Sequence, residues 1–273
     1  MLELYEGDDG NRFEDPEMGP LFNPPLVAVA SADDAWFARF KQLIGEFHWT
    51  PQEALSLAGP RVKARSVICW CLPIAATARA ANRLEDKIPS GAWAYVRHFG
   101  EQLLTRMRHG LEQRLRGLGF AALAPHSSPQ NGIEPRPGVG WSACWSERHV
   151  AFVAGLGTFG ISGGLITCRG VAHRLGSVVT EMDVDATPRP YGDDPFAWCL
   201  QCARGTCGEC IKRCPAGSIG ATVRARDKQA CFQHTYVNVR GERGQKLFGW
   251  KGAYGCGLCQ TGVPCEDRNP TGQ

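Results

Sequence analysis

The sequence predicts an α/β (α+β) chain built in two unlike parts, a layered N-terminal domain and a smaller C-terminal module organised by cysteine. Three observations carry this. Short β-rich apolar runs alternate with helical apolar stripes through residues 26–185. Nine of the thirteen cysteines fall between Cys199 and Cys265. Between these regions, Asp183 to Asp194 is rich in Pro, Asp and Gly, as a boundary would be. The expected organisation is an acidic N-terminal arm over 1–25, the layered domain over 26–185 and the cysteine module over 186–273.

Residues 1–20 hold seven acids and one base and show little periodicity. Leu26–Ala30 is a short apolar run and reads as a strand. Ser31 and Asp33 or Asp34 can cap a helix with the stripe Trp36, Phe37, Phe40, Ile44 and Phe47. Ser66–Leu72 is β-rich and stops at Pro73, which predicts a buried strand. From Ala92 to Leu118, Trp93, Val96, Phe99, Leu103, Met107, Leu111 and Leu118 recur at helical spacing. The arginines between them read as a solvated basic face. Phe120–Ala124 reads as a strand, 125–140 as a long loop of the kind that carries function, and Trp145–Ala154 as a helix start. Leu165–Cys168 and Leu175–Thr180 read as a strand pair.

A net charge of +3 names no partner by itself. Residues 212–251 nevertheless hold nine Lys/Arg against Asp227 and Glu242. That surplus suits screening of an anionic thiolate site, or contact with RNA phosphates. The N-terminus lacks the basic start and apolar core of a signal peptide, and no run of eighteen apolar residues occurs. The expectation is a cytoplasmic protein with no membrane partner, a setting in which cysteines serve metals or redox chemistry rather than disulfides.

The densest stretch runs Cys199, Cys202, Cys207, Cys210, Cys214-Pro215, followed by Cys231, Cys256, Cys259 and Cys265. Cys-x2-Cys-x3-Cys-Pro is the tail of a bacterial two-cluster ferredoxin run, in which the cysteine before proline crosses to the other cluster. This spacing assigns Cys207, Cys210 and Cys265 to one [4Fe–4S] cluster and Cys214, Cys231, Cys256 and Cys259 to the second. The remaining ligand is Cys199 or Cys202, because the usual position holds Arg204. Three Cys-x2-Cys pairs also suit structural zinc, but eight ligands and the proline step favour clusters. Cys69, Cys71, Cys144 and Cys168 read as free buried thiols.

Gly155-Leu-Gly157-Thr158-Phe159-Gly160 matches the dinucleotide fingerprint, with Glu181 about twenty residues on. The next segment, Ile161 to Cys168, is glycine-broken and β-like, so no helix N-terminus is available to a pyrophosphate. The glycines instead predict a tight turn or close approach to a large cofactor.

Three stretches resemble the epoxyqueuosine reductases, with a layout shared by reductive dehalogenases: Trp145 to Gly160, His173 to Thr180, and the cysteine segments Gly208–Ile219 and Tyr254–Gln260. The resemblance implies a nitroreductase-like domain holding cobalamin, followed by a two-cluster ferredoxin-like domain. Electrons from an external donor such as a ferredoxin or flavodoxin would pass through both clusters to the corrinoid for reductive cleavage of a substrate, in that family the epoxide of a tRNA nucleoside. Gly155, Gly157, Thr158, Phe159, Gly160 and Ser162 would then lie at the cofactor. The family's catalytic acid falls on Trp141, and its lysine is lost at Gly160-Ile161-Ser162. The last cysteine segment is two residues longer than usual. Glu147 and His149, with His173, are the nearby groups able to carry a proton. Two other classes remain: an electron carrier without corrinoid, and a zinc-stabilised binding module.

Overall fold

The structure, a computed structural model, describes residues 1–240, 242–249 and 254–272. Its main sheet is antiparallel, with strands β1 (Leu26–Ser31), β2 (Ser66–Pro73), β3 (Ala122–Leu123) and β8 (His173–Thr180) in the order β1-β2-β8-β3. β2 is central, pairing Leu26 with Cys71 on one side and Pro73 with His173 on the other. Paired on both edges and covered on both faces, it requires the unbroken apolar run seen in the sequence. β3 is shorter than expected: its two residues pair only with Val179 and Thr180. Among the described residues, no strand covers that edge of β8 from His173 to Val178.

Helices cover both faces of the sheet. α1 (Leu2–Glu6), α4 (Ala76–Arg83) and the long α5 (Gly91–Gly117) lie on one side. α2 (Ala35–Ile44), α3 (Pro51–Leu55) and α6 (Glu147–Val153) lie on the other. Asp34 caps α2 by accepting from the Trp36 N–H at 3.0 Å, and Thr50 with Glu53 forms a capping box on α3. The acidic arm is part of this layer rather than a free segment. Asp8 meets Arg106 of α5 at 2.6 Å and Glu3 meets Arg114 at 2.6 Å, while Phe13, Leu21 and Phe22 are buried.

Two expectations for the middle of the chain are corrected. The loop 125–140 contains a hairpin strand, β4 (Glu134–Arg136), paired with β5 (Gly140–Ser142). Leu165–Thr167 (β7) pairs with Gly157–Phe159 (β6), not with β8. The cause is local. Gly155 turns at φ +88°, and a Cβ at Gly157 would lie 2.1 Å from the Ile166 carbonyl, so only glycines let these strands fold back so closely.

Residues of the cysteine module pack into the core of the layered part. Tyr191, Trp198, Cys199, Cys210, Ile219 and Val263 belong to the same apolar cluster as α2, α6 and the sheet. α4 clamps the module from the other side. Arg79 meets Glu266 at 3.0 Å and Asp267 at 2.8 Å, and Arg83 meets Glu266 at 2.6 Å. Glu266 is only 4% exposed, and its removal leaves Arg79 with Asp267 and half-exposed Arg83 without a carboxylate. Glu266→Ala is expected to lower stability by roughly 1.5–3 kcal/mol in a denaturant titration, against less than about 1 kcal/mol for loss of the exposed Glu3–Arg114 pair.

Candidate functional site

Short helices place the cysteines. α7 (Leu200–Arg204) starts at Cys199, α8 (Glu209–Lys212) carries Cys210, and α9 (Lys228–Phe232) carries Cys231. Burial pushes the Cys265 thiol up to about 12, with further contributions from Cys210, Cys199 and Cys207. Burial, then Cys199 and Cys207, pushes Cys210 up to about 11. These four thiols therefore stand within electrostatic reach of one another. Cys202 responds to burial, Cys199 and Cys210, and also lines a surface cavity of about 390 Å³ with Ile161, Asp194 and Phe196. Cys199 is 6% exposed, and its Sγ accepts the Ile161 N–H at 3.4 Å.

A second set forms around Cys256, whose thiol burial pushes up to about 11, with Cys231 and Cys214 adding to the shift. Cys259 is pushed up by burial, then by Cys256, with Cys231 and Cys210 adding. The Cys214 Sγ accepts the Ser218 N–H at 3.3 Å, and the Ser218 Oγ lies 3.1 Å away. Cys259 responds to Cys210 as well, so the thiols around Cys256 lie near those around Cys265. Among the described residues, no three His, Cys, Asp or Glu side chains converge on a point fit for one metal ion.

The N-terminus of α6 sends neighbouring side chains to different places, since residues one or two apart on a helix do not share a face. Glu147 turns toward α5. Its Oε2 accepts from Ser177 Oγ at 2.6 Å, Arg108 Nε lies 3.7 Å from Oε1, and buried Oε1 has no hydrogen-bond partner among the described residues. Burial pushes this carboxyl up to about 7, against the opposing pull of Arg108 and Ser177. Arg108, 2% exposed, also meets Glu101 at 2.9 Å and donates to the Leu175 carbonyl at 3.1 Å. It thereby satisfies a β8 edge that β3 is too short to reach. His126 lies 3.6 Å from Glu101 and 4.0 Å from Glu147, and burial pulls its ring down to about 4, so it is neutral at pH 7.

His149 does not join Glu147. Its ring packs between Phe40 and Phe159, 4.8 Å from each, with Nδ1 at 2.7 Å from Ser146 Oγ. Burial holds it well below the usual histidine range. His173 is fixed by the Leu165 carbonyl at 2.7 Å. Both histidines are structural partners of their own loops.

Arg148 is exposed, yet burial is the first cause that pulls its guanidinium down to about 10. His126 combines the same two properties. Both side chains are reachable by water yet crowded by surrounding protein, as in a recess of the surface, hereafter the hollow. Arg148 donates to the Gly163 carbonyl, the Arg226 guanidinium packs on Gly163, and Cys231 and Cys259 oppose the Arg148 charge. The hollow therefore borders the second cysteine set. Its far wall is aromatic. Trp141 on β5 stacks on Phe232 at 4.5 Å and 5°, Phe232 on Tyr236 at 4.9 Å, and Tyr236 leans on Tyr254 at 5.2 Å. Trp141 joins the hairpin to α9 and the aromatic residues beyond it; it is a wall, not an acid.

The glycine loop serves the protein's own packing. Gly155 abuts the Pro188 carbonyl, Gly157 abuts β7, and Gly160 donates to the Gly164 carbonyl at 2.7 Å. Buried Thr158 accepts from the Trp198 N–H at 2.9 Å, and Ser162 Oγ accepts from the Gly164 N–H at 3.3 Å. Gly155, Phe159, Gly163 and Gly164 are half-buried, and water reaches the loop at these positions. The strand conformation at 157–159 agrees with the exclusion of a dinucleotide site. Sequence reasoning missed Arg97, Glu101, Arg108, His126 and Arg174. The α5 arginines looked like a solvated face, and the signal available was that no carboxylate recurs often enough along α5 to pair them.

The sheet flanked by helices with an appended cysteine module is a mixed α/β fold, and it matches the fold of a reductive dehalogenase at a TM-score of 0.50. Solved structures similar to it are epoxyqueuosine reductases and reductive dehalogenases, the group the sequence resembles. The Streptococcus thermophilus epoxyqueuosine reductase is 16% identical over 97% of this chain and 65% of its own, at a TM-score of 0.47. An epoxyqueuosine reductase solved with a tRNA-Tyr epoxyqueuosine-modified stem loop is 19% identical over 97% and 64%, at 0.48. A catabolic reductive dehalogenase is 14% identical over 89% of this chain and 30% of its own, at 0.50. The chain thus spans less than two thirds of the length of these proteins. No family profile and no curated protein matches the sequence. Among the described residues, no helix is long and apolar enough to cross a membrane.

Proposed function

We propose that the chain is an iron–sulfur oxidoreductase that carries electrons through two [4Fe–4S] clusters to a corrinoid in the hollow, where a substrate is reductively cleaved. The observation that carries this reading is the placement of a second thiol set beside a hollow lined by guanidinium groups and a carboxyl whose proton is held to near neutral pH. The donor chemistry fits clusters: soft thiols in two groups, with N–H donors aimed at Cys199 and Cys214. The hollow fits a large polar cofactor: Arg226 Nε is buried without a partner among the described residues, and Arg148 has only a carbonyl. Arg148, Arg226, Phe159 and the Gly163 backbone would hold the corrinoid, which would supply a strongly reducing metal centre when bound. Glu147 holds the proton that reductive cleavage consumes, and neutral His126 stands between Glu147 and Glu101 to pass it on. Ser177 and Arg108 fix the carboxyl in place. An epoxidised tRNA nucleoside is the substrate that the sequence resemblance suggests, and an external ferredoxin or flavodoxin the donor.

The test is metal analysis of anaerobically purified protein, with spectra before and after adding cobalamin. Iron with absorbance near 400 nm, bleached by dithionite, together with cobalamin uptake is expected. Zinc without iron would remove the redox reading, and iron without cobalamin uptake would leave an electron carrier. Turnover of epoxyqueuosine-containing tRNA in the reconstituted protein tests the substrate separately.

The same material resolves the choice between Cys199 and Cys202. Cys199 lies among Cys207, Cys210 and Cys265 and is buried, whereas Cys202 faces the outer cavity. Cys199→Ser is expected to lose about half of the bound iron, and Cys202→Ser to keep all of it.

A further inference from the structure

At the end of the hollow away from the cysteines, Arg97, Arg108 and Arg174 come together with Glu101, Glu147 and His126. Each of the first two arginines has partners. Arg97 meets Glu101 at 3.3 Å, lies over the Tyr254 ring at 4.5 Å and hydrogen-bonds Tyr236. Arg108 is held by Glu101 and the Leu175 carbonyl. Arg174 is different. It lies in the part of β8 that β3 does not reach, its Nε is buried, and among the described residues its guanidinium has no hydrogen-bond or ion-pair partner.

The charges there do not balance. Three guanidiniums face one full carboxylate, Glu101, since Glu147 with its carboxyl near 7 is only partly ionised at neutral pH and His126 is uncharged. The leading influences on the Arg174 charge are burial and Arg97, which weaken it, against Glu101, Tyr254 and Tyr236. An uncompensated buried cation is costly unless an anion reaches it. A cavity of about 430 Å³, lined by Arg97, Glu101, Thr105 and Tyr254, opens near this end, and Arg174 lies in the electrostatic neighbourhood of three of those residues, Arg97, Glu101 and Tyr254. The cavity has room for a small organic molecule. The walls it shares with the hollow are a guanidinium and a tyrosine ring.

We infer that the substrate of this hollow is a small organic anion, its carboxylate or phosphate head seated on Arg174 and Arg97 and its body against Tyr254 and Tyr236. The inference rests on the reductase reading only in treating the hollow as the reaction site. Arg174 is the specificity-determining residue: it fixes the anionic end and leaves the rest of the molecule in reach of His126 and Glu147.

The test uses the cluster-loaded full chain, with iron content measured in parallel so that a failure of the clusters is seen separately. Binding of orthophosphate and of benzoate is measured by equilibrium dialysis, with and without stoichiometric cobalamin. Saturable binding of either probe that persists with cobalamin and weakens at least about tenfold in Arg174→Gln is expected. The tighter probe tells phosphate ester from carboxylate. Arg174→Lys, which keeps the charge, is expected to restore part of the affinity and guards against a mere folding defect. Lys228→Gln, which removes a cation at the α9 end, is expected to leave binding unchanged. No saturable binding of either probe, or binding untouched in Arg174→Gln, would overturn the inference. So would binding that one equivalent of cobalamin abolishes, since the arginine would then serve the cofactor.

Discussion

Glu147→Gln is expected to lower turnover by roughly two to four orders of magnitude while leaving both clusters and their reduction intact. The carboxyl's surroundings are the reason. Oε1 is buried without a hydrogen bond, Oε2 is held by Ser177 at 2.6 Å, and burial outweighs Arg108, so the proton stays on to about pH 7. A proton donor must be protonated, so wild-type turnover should be level below that value and fall about tenfold per unit above it. The glutamine variant should lose this limb altogether. The same shift makes a stability prediction of definite sign. The folded carboxyl holds its proton more tightly than the ordinary value of 4.5, so this group favours the folded state most below pH 4.5 and progressively less as pH rises through 7. At pH 8 Glu147→Gln should therefore be more stable than wild type, by up to about 3 kcal/mol, and near pH 4 the two should be alike. A variant that loses activity and gains stability at high pH marks a group kept for chemistry. Equal activity across pH 6–9 in both proteins would remove Glu147 from the mechanism.

The physical reasons for what the sequence could and could not say are visible in particular residues. β2, α2 and α5 were legible because each buries a stripe whose period is set by its own backbone: Trp36, Phe37 and Phe40 on α2, Trp93, Val96 and Leu103 on α5. The pairing of β7 with β6 was not, because it depends on how close two backbones can come at Gly157, a property of the partner strand at Ile166. The hollow was illegible for a similar reason. Arg108 and His126 are ordinary surface residues by sequence, and they become a site only because β3 stops after two residues and leaves the β8 edge to side chains. Glu147 and His149 looked like a pair through nearness in sequence, and a helix separates them by pointing one at α5 and the other at Phe40.

Cys259→Ser is expected to abolish turnover and remove about four of eight irons, while the remaining cluster still bleaches with dithionite. The order of the thiol sets in space is the reason. The first thiol set has Cys202 and its cavity on the outside, the natural side for an external donor. The second set has Arg148 and the hollow on its other side. Cys259 is the residue that feels both sets, since Cys256 and Cys231 act on it from one and Cys210 from the other. On the proposed reading, electrons would enter on the Cys202 side and pass Cys259 toward Arg148. Removing the inner relay should leave an outer cluster that accepts electrons and cannot deliver them. Arg148 would also lose the negative charge opposite it, so Cys259→Ser should weaken cobalamin uptake, whereas Cys199→Ser should spare uptake and slow only reduction. The reverse pattern, uptake lost on breaking the outer set and kept on breaking the inner one, would place the hollow's cofactor on the wrong side of the relay and with it the proposed path.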